Sequence, residues 1–286
     1  MTLKGIDTSS YQAGLPDKTI NADFIIFKAT EGVGYTDQDC NPSYQEAKAA
    51  GKLLGVYHFA RPDGNGAIAE ADYFVSQIKG YIGEAILVLD WETEPKSNVA
   101  WAKAWLDRVY AKTGVRPLIY MSTSVVNAYD WSSVSKDYAL WVAQYRDNNI
   151  DVNYDMSNAG SMPDVNWPNG YAMWQWTSAG RLTGWGGNLD CNIFYGDANA
   201  WKSFAKGKPV TTPVVPTPTP APIVTPVVVP PVTQPTPTPT PTPTPVVVPT
   251  VTPQVDTDLA KDTNKKVGLI LSAINWLVEH WKNIFK

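Results

Sequence analysis

Cysteine and histidine are scarce in this 286-residue chain, which holds only Cys40, Cys191, His58 and His280. The cysteines lie far apart with no Cys-x-x-Cys spacing, so no zinc centre and no cofactor is expected. Two free, buried thiols are expected instead of a disulfide, as suits synthesis in a reducing cytoplasm. Basic blocks are missing too: 23 Lys and Arg against 27 Asp and Glu give a formal net charge of −4. Without a cationic face the chain is not expected to bind nucleic acid. Neutral or cationic polymers remain as partners. The opening residues, Met-Thr-Leu-Lys-Gly-Ile-Asp-Thr-Ser-Ser, contain no apolar run of signal-peptide length, so synthesis without a signal peptide is expected.

Proline is plentiful but confined. Seventeen of the 24 prolines fall between Pro209 and Pro253, in a Pro/Thr/Val stretch without a charged residue. Proline fixes φ and removes an amide donor, so residues 208–255 are predicted to be an extended polyproline-II linker. It separates a domain over 1–207 from a tail over 256–286. In the tail, Val267, Ile270, Ile274, Leu277, Trp281 and Ile284 recur at steps of three and four, the period of an amphipathic helix. Self-association, membrane or wall contact through residues 267–285, and packing back on the first domain are all open for that helix. A long stiff spacer argues against the last.

The first domain repeats short apolar runs, eight in all: Lys4 to Asp7, Phe24 to Ala29, Leu53 to His58, Ala85 to Leu89, Pro117 to Tyr120, Leu140 to Gln144, Ala172 to Trp176 and Leu189 to Ile193. Such runs suit parallel strands buried on both faces. Helical patterns lie between the early ones, over Ser43 to Ala50, Ala67 to Lys79 and Val99 to Lys112. The predicted class is α/β, an irregular β/α (TIM-like) barrel of eight strands. Asn148 to Gly170 and Thr177 to Asn188 show no helical period, so helices should be missing near its end.

In such a barrel the chemistry sits where strands end at the mouth. Asp7 closes the first run, Asp90 and Glu92 follow the fourth, and Asp190 lies in the eighth. Two carboxyls two residues apart on an extended chain face the same side. Crowding keeps one protonated while the other stays ionised, the division of labour that glycoside hydrolysis needs. Aromatic and amide residues at other strand ends, among them Tyr57, His58, Tyr120, Trp141, Tyr145, Gln175 and Trp176, fit a sugar groove. Each of these types is also common in cores, and His58 suits a hydrogen-bonded structural role.

Seven segments in order resemble glycoside hydrolase family 25, the Chalaropsis-type lysozymes, which include many phage endolysins. They are Gly-Ile-Asp-Thr-Ser-Ser-Tyr-Gln at 5–12, Lys-Ala-Thr-Glu-Gly at 28–32, Gly-Val-Tyr-His-Phe at 55–59, Leu-Asp-Trp-Glu at 89–92, Leu-Trp-Val-Ala-Gln-Tyr at 140–145, Trp-Gln-Trp-Thr at 174–177 and Leu-Asp-Cys-Asn at 189–192. The resemblance implies a muramidase that cuts the β-1,4 bond from N-acetylmuramic acid to N-acetylglucosamine in bacterial peptidoglycan. It implies Glu92 as acid and then base, Asp90 assisting the substrate's own N-acetyl group, and Asp7 and Asp190 lining the cleft. Glu31 joins the residues above as a substrate contact. Cys191 stands where the family usually has an apolar residue, and the tail does not look like a choline-binding repeat. An endolysin without a signal peptide would reach the wall with a holin-like partner. The alternatives are a silent wall-binding module and a glucosaminidase or chitinase.

Overall fold

The computed structural model describes residues 2–206, so the expected linker (208–255) and amphipathic helix (256–286) lie outside the described residues. Eight strands close into a ring: β1 (Leu3–Thr8), β2 (Phe24–Glu31), β3 (Leu53–Phe59), β4 (Ile86–Asp90), β5 (Leu118–Ser122), β6 (Leu140–Ala143), β7 (Met173–Arg181) and β8 (Leu189–Phe194). Each pairs with the next in chain order, and β8 returns to pair with β1. The expected eight-stranded α/β barrel is what forms.

From β1 to β7 every neighbouring pair is parallel. Both faces of these strands are covered, which is why their sequences are nearly continuous in apolar residues. In β4 the pleat sends Ile86 and Val88 into the barrel with Phe24, Ile26 and Leu118. Leu87 and Leu89 point outward into a second layer with Phe74 and Trp105.

The eighth strand departs from the all-parallel expectation: β8 is antiparallel to both β7 and β1. Only residues 182–188 separate it from β7. Parallel pairing needs a crossover of about a dozen residues or more, so a link this short must fold back as a hairpin. Gly184, at φ +97°, takes the left-handed conformation in that turn. The segment after Trp176, expected as loop from Thr177, instead continues β7 to Arg181. Hence the mouth collects the carboxyl ends of β1 to β7 and the amino end of β8.

Outside the ring lie α1 (Cys40–Ala49), α2 (Ala67–Gln77), α3 (Val99–Thr113), the short α4 (Thr123–Ala128) and α5 (Ser132–Ser135), and α6 (Ala198–Ala205). Asn98 starts α3 by accepting a bond from the Trp101 amide. Its buried side carries Trp101, Ala102, Trp105, Leu106 and Val109, and Gly114 at φ +71° stops it. Between β6 and β7 a two-residue strand, Asp151–Val152, and a 3-10 turn, Met156–Asn158, stand in place of an α-helix, so helices are missing there as expected.

α6, which the sequence pattern did not reveal, plugs the barrel floor. Its Trp201 ring lies 4.4 Å from Phe24 and 5.1 Å from Phe194, and its indole N–H donates to the Leu54 carbonyl at 3.1 Å. Phe24 fits there because position 5 is glycine: a Cβ on Gly5 would stand 2.4 Å from that ring. The floor is thus apolar and sealed, and the polar groups gather at the mouth. Both cysteines are free and buried.

Candidate active site

Strand parity builds the site. In β4 the inward series Ile86, Val88 arrives at Asp90, and Glu92, two residues on, projects from the same side beyond the strand end. The inward series of β1 ends in Asp7, that of β2 in Lys28, that of β3 in Tyr57 and Phe59, and that of β5 in Tyr120. Read backward, the antiparallel β8 delivers Asn192 and then Asp190, whose register partner on β1 is Asp7. Asp7, Asp90, Glu92 and Asp190 therefore share one cleft of about 260 Å³, walled by Tyr57, Phe59, Tyr120, Trp141, Tyr145 and Gln175.

A buried amide network fixes Asp7. Its Oδ2 accepts from Gln175 Nε2 at 2.8 Å and from Asn192 Nδ2 at 2.7 Å. Asn192 Oδ1 in turn accepts from the Trp141 indole at 2.9 Å. Gln175 Oε1 accepts from the Tyr120 hydroxyl at 2.7 Å and also from the Tyr145 hydroxyl. These bonds orient both amides, so each turns its N–H toward Asp7 and its oxygen toward a ring donor.

Asp90 is different. It is 8% exposed, yet its Oδ1 is buried with no hydrogen-bond partner among the described residues. Burial, then the charges of Glu92 and Asp7, push its carboxyl well above the usual range. Asp7 is raised likewise by burial and then by Asp190, against the bonds from Asn192 and Gln175. Burial and the Glu92 charge push Asp190 up to about 6, while a hydrogen bond from Asp7 pulls the other way. Glu92 is an exposed residue whose carboxyl lines the cleft; desolvation there raises it, opposed by Lys96, Lys28 and Arg61. Four acids in one low-dielectric mouth favour shared protons over four charges.

Three expected substrate contacts fall elsewhere. His58 shares the outward parity of Leu54 and Val56, so it is wholly buried behind the barrel wall. There its Nε2 pairs with Glu70 Oε2 and its Nδ1 with Thr30 Oγ1, both at 2.7 Å, and its ring stacks on Trp105. Burial holds its imidazole below the ordinary value against the pull of Glu70. Trp176 is outward like Trp174 and is 1% exposed within the layer under the helices. Neither lines the cleft. Glu31 lies in an adjoining groove, bonded to Lys28 and Arg61. Burial would raise its carboxyl, but those two cations outweigh it and hold Glu31 low.

Lys28 and Asn192 were not singled out from sequence, and parity with Ile26 and Asp190 was the available signal. Ser178 also lines the cleft, because a bulge between β7 and β8 shifts the inward position off Thr177.

Residues 6–185 match the profile described as Glycosyl hydrolases family 25. Lysozyme M1 of Streptomyces globisporus is 30% identical over 217 residues, covering 68% of this chain and 69% of that protein. The bacterial lysozyme from Streptomyces coelicolor has a similar structure, with a TM-score of 0.62 and 26% identity over 72% of this chain and 98% of that one. The CTP1L endolysin gives a TM-score of 0.56 and 26% identity over 72% and 70%. With a profile match over more than half its length and a closed barrel of the same fold, the chain belongs to glycosyl hydrolases family 25 and is a glycoside hydrolase of the lysozyme (muramidase) type, acting on peptidoglycan.

Proposed function

We propose that this enzyme is an N-acetylmuramidase that cuts the β-1,4 bond between N-acetylmuramic acid and N-acetylglucosamine, with Glu92 as the acid and then the base. The observation that carries this assignment is the contrast within the pair: Glu92 reaches the open mouth, whereas Asp90 is buried and offers an unpartnered carboxylate oxygen. In this mechanism protonated Glu92 gives its proton to the glycosidic oxygen as the carbonyl oxygen of the substrate's N-acetyl group attacks the anomeric carbon. Asp90 accepts the acetamido N–H, aligning that group and offsetting the positive charge it gains. Glu92, now ionised, then takes a proton from the water that opens the cyclic intermediate, with retention at the anomeric carbon. The fixed Asp7 and the neighbouring Asp190 line the cleft, and desolvation there raises the Glu92 carboxyl and so favours the protonated form that the first step needs. Tyr57, Tyr120, Trp141, Tyr145 and Gln175 contact the sugar, and Glu31 contributes in the adjoining groove.

The likeness to the CTP1L endolysin supports a role in phage-driven lysis of the host, with residues 208–255 as spacer, residues 256–286 as a targeting or self-association helix, and a holin-like partner for release. Turbidity loss of purified cell walls tests the catalytic assignment. The wild type should clear them, and Glu92→Gln should lose about 10²-fold or more in rate. Equal clearing by both removes Glu92 from the mechanism.

A further inference from the structure

Lys28, Glu31 and Arg61 form a charged clamp at the edge of the acid cleft, and no proton transfer or bond-making step above passes through them. The groove holding them has a volume of about 490 Å³ and shares Ser9, Tyr11 and Lys28 with the cleft, so one ligand can occupy both. Glu31 Oε2 accepts from Lys28 Nζ at 2.6 Å, and its Oε1 accepts from Arg61 Nε at 2.7 Å. Both heads also lie against the Phe59 ring, with Lys28 Nζ 4.7 Å and Arg61 Cζ 4.8 Å from its centroid. Both heads are thereby held in place before any ligand arrives.

The charges do not cancel. Two cations face one carboxylate, and among the described residues Glu31 is the one side chain accepting from either head. A guanidinium has five N–H donors, so Arg61 retains several for an anion. Tyr11, 91% exposed, and Tyr35, 44% exposed, add aromatic faces along the groove. A net positive groove beside four acids suits a ligand that is neutral at one end and anionic at the other. A neutral sugar fits the cleft, and an anion fits the groove.

We propose that this groove is a carboxylate-binding subsite that takes a free carboxyl of the peptide stem carried by the muramyl residue, giving the enzyme a preference for stem-bearing strands. The proposal rests on the muramidase assignment. Arg61 supplies a two-pronged donor pair to the carboxylate and Lys28 a point charge, while Glu31 keeps the two cations apart and oriented.

The test compares two soluble substrates, uncross-linked glycan strands with peptide stems and the same strands stripped of stems by an amidase, which exposes the lactyl carboxyl. Wild type, Arg61→Gln and Arg61→Lys are assayed on both, with KM and kcat separated and the pH profile recorded. The expected result is a wild-type preference for stem-bearing strands that falls about fivefold in Arg61→Gln, through KM, and is partly kept in Arg61→Lys. An equal loss on both strands with a displaced alkaline limb would mean that Arg61 acts only through Glu92, and overturns the proposal. A loss confined to stripped strands assigns the groove to the lactyl carboxyl and overturns it too. A wild type that cuts neither strand removes the muramidase assignment and the subsite with it.

Discussion

Replacing Asp190 by Asn should make the protein more stable and less active, and only above a defined pH. Burial and the Glu92 charge lift the Asp190 carboxyl from an ordinary 3.8 to about 6 in the folded protein. A folded-state value above the unfolded one means that the fold holds the proton more tightly, so ionisation costs stability. The cost is absent below pH 3.8, where folded and unfolded chains are both protonated; it grows as pH rises to about 6 and is complete above that. The gap corresponds to about 3 kcal/mol, and partial solvent access reduces it to about 2 kcal/mol. Asn has the same shape and still accepts the bond from Asp7, so its main effect is removal of the charge. For a domain of this size about 2 kcal/mol is roughly 5 °C in Tm. Thermal melts at pH 8 and pH 3.5 measure it: Asp190→Asn should melt higher than wild type at pH 8 and level with it at pH 3.5, while wall hydrolysis falls. A lower Tm at pH 8, or the same difference at both pH values, would refute the electrostatic account of the cleft.

Further expectations follow from packing. His58→Ala removes a fully buried partner of Glu70 and should cost about 2–4 kcal/mol by denaturant titration, yet leave KM for soluble glycan unchanged in the folded fraction; a raised KM at full stability would return His58 to the substrate site. Gly5→Ala, whose new methyl would meet the Phe24 ring, should cost about 1–3 kcal/mol, and Phe24→Leu in the same chain should recover part of it; additive losses would contradict the close approach. Deleting residues 256–286 should leave hydrolysis of soluble fragments intact and weaken lysis of whole cells. Equal potency on cells would refute a targeting role.

Much of this site was legible because a buried β-strand imposes a period of two. The run Ile86-Leu87-Val88-Leu89-Asp90 shows where the chain stops being apolar, and parity then puts Glu92 on the side of Asp90. The same period, counted from Gly55 and Tyr57 or from Met173 and Gln175, sends His58 and Trp176 outward, although both sit in motifs whose neighbours line the cleft. An aromatic or histidine at a strand end looks alike in composition on either face, and only the count separates them. Strand direction is harder, since an apolar run has no arrow. The direction of β8 is set by the short link 182–188, and the same reversal brings Asp190 to the mouth from the start of its strand. The floor helix α6 has only two turns of pattern, and its role comes from Trp201 filling space that no local signal describes.

The most direct measurement is of the new reducing ends in digested peptidoglycan, identified by borohydride reduction and mass spectrometry. N-acetylmuramic acid should be the residue reduced after treatment with the wild type, and the signal should vanish with Glu92→Gln. New reducing ends on N-acetylglucosamine, or undiminished product from Glu92→Gln, would contradict the assignment of the cleft.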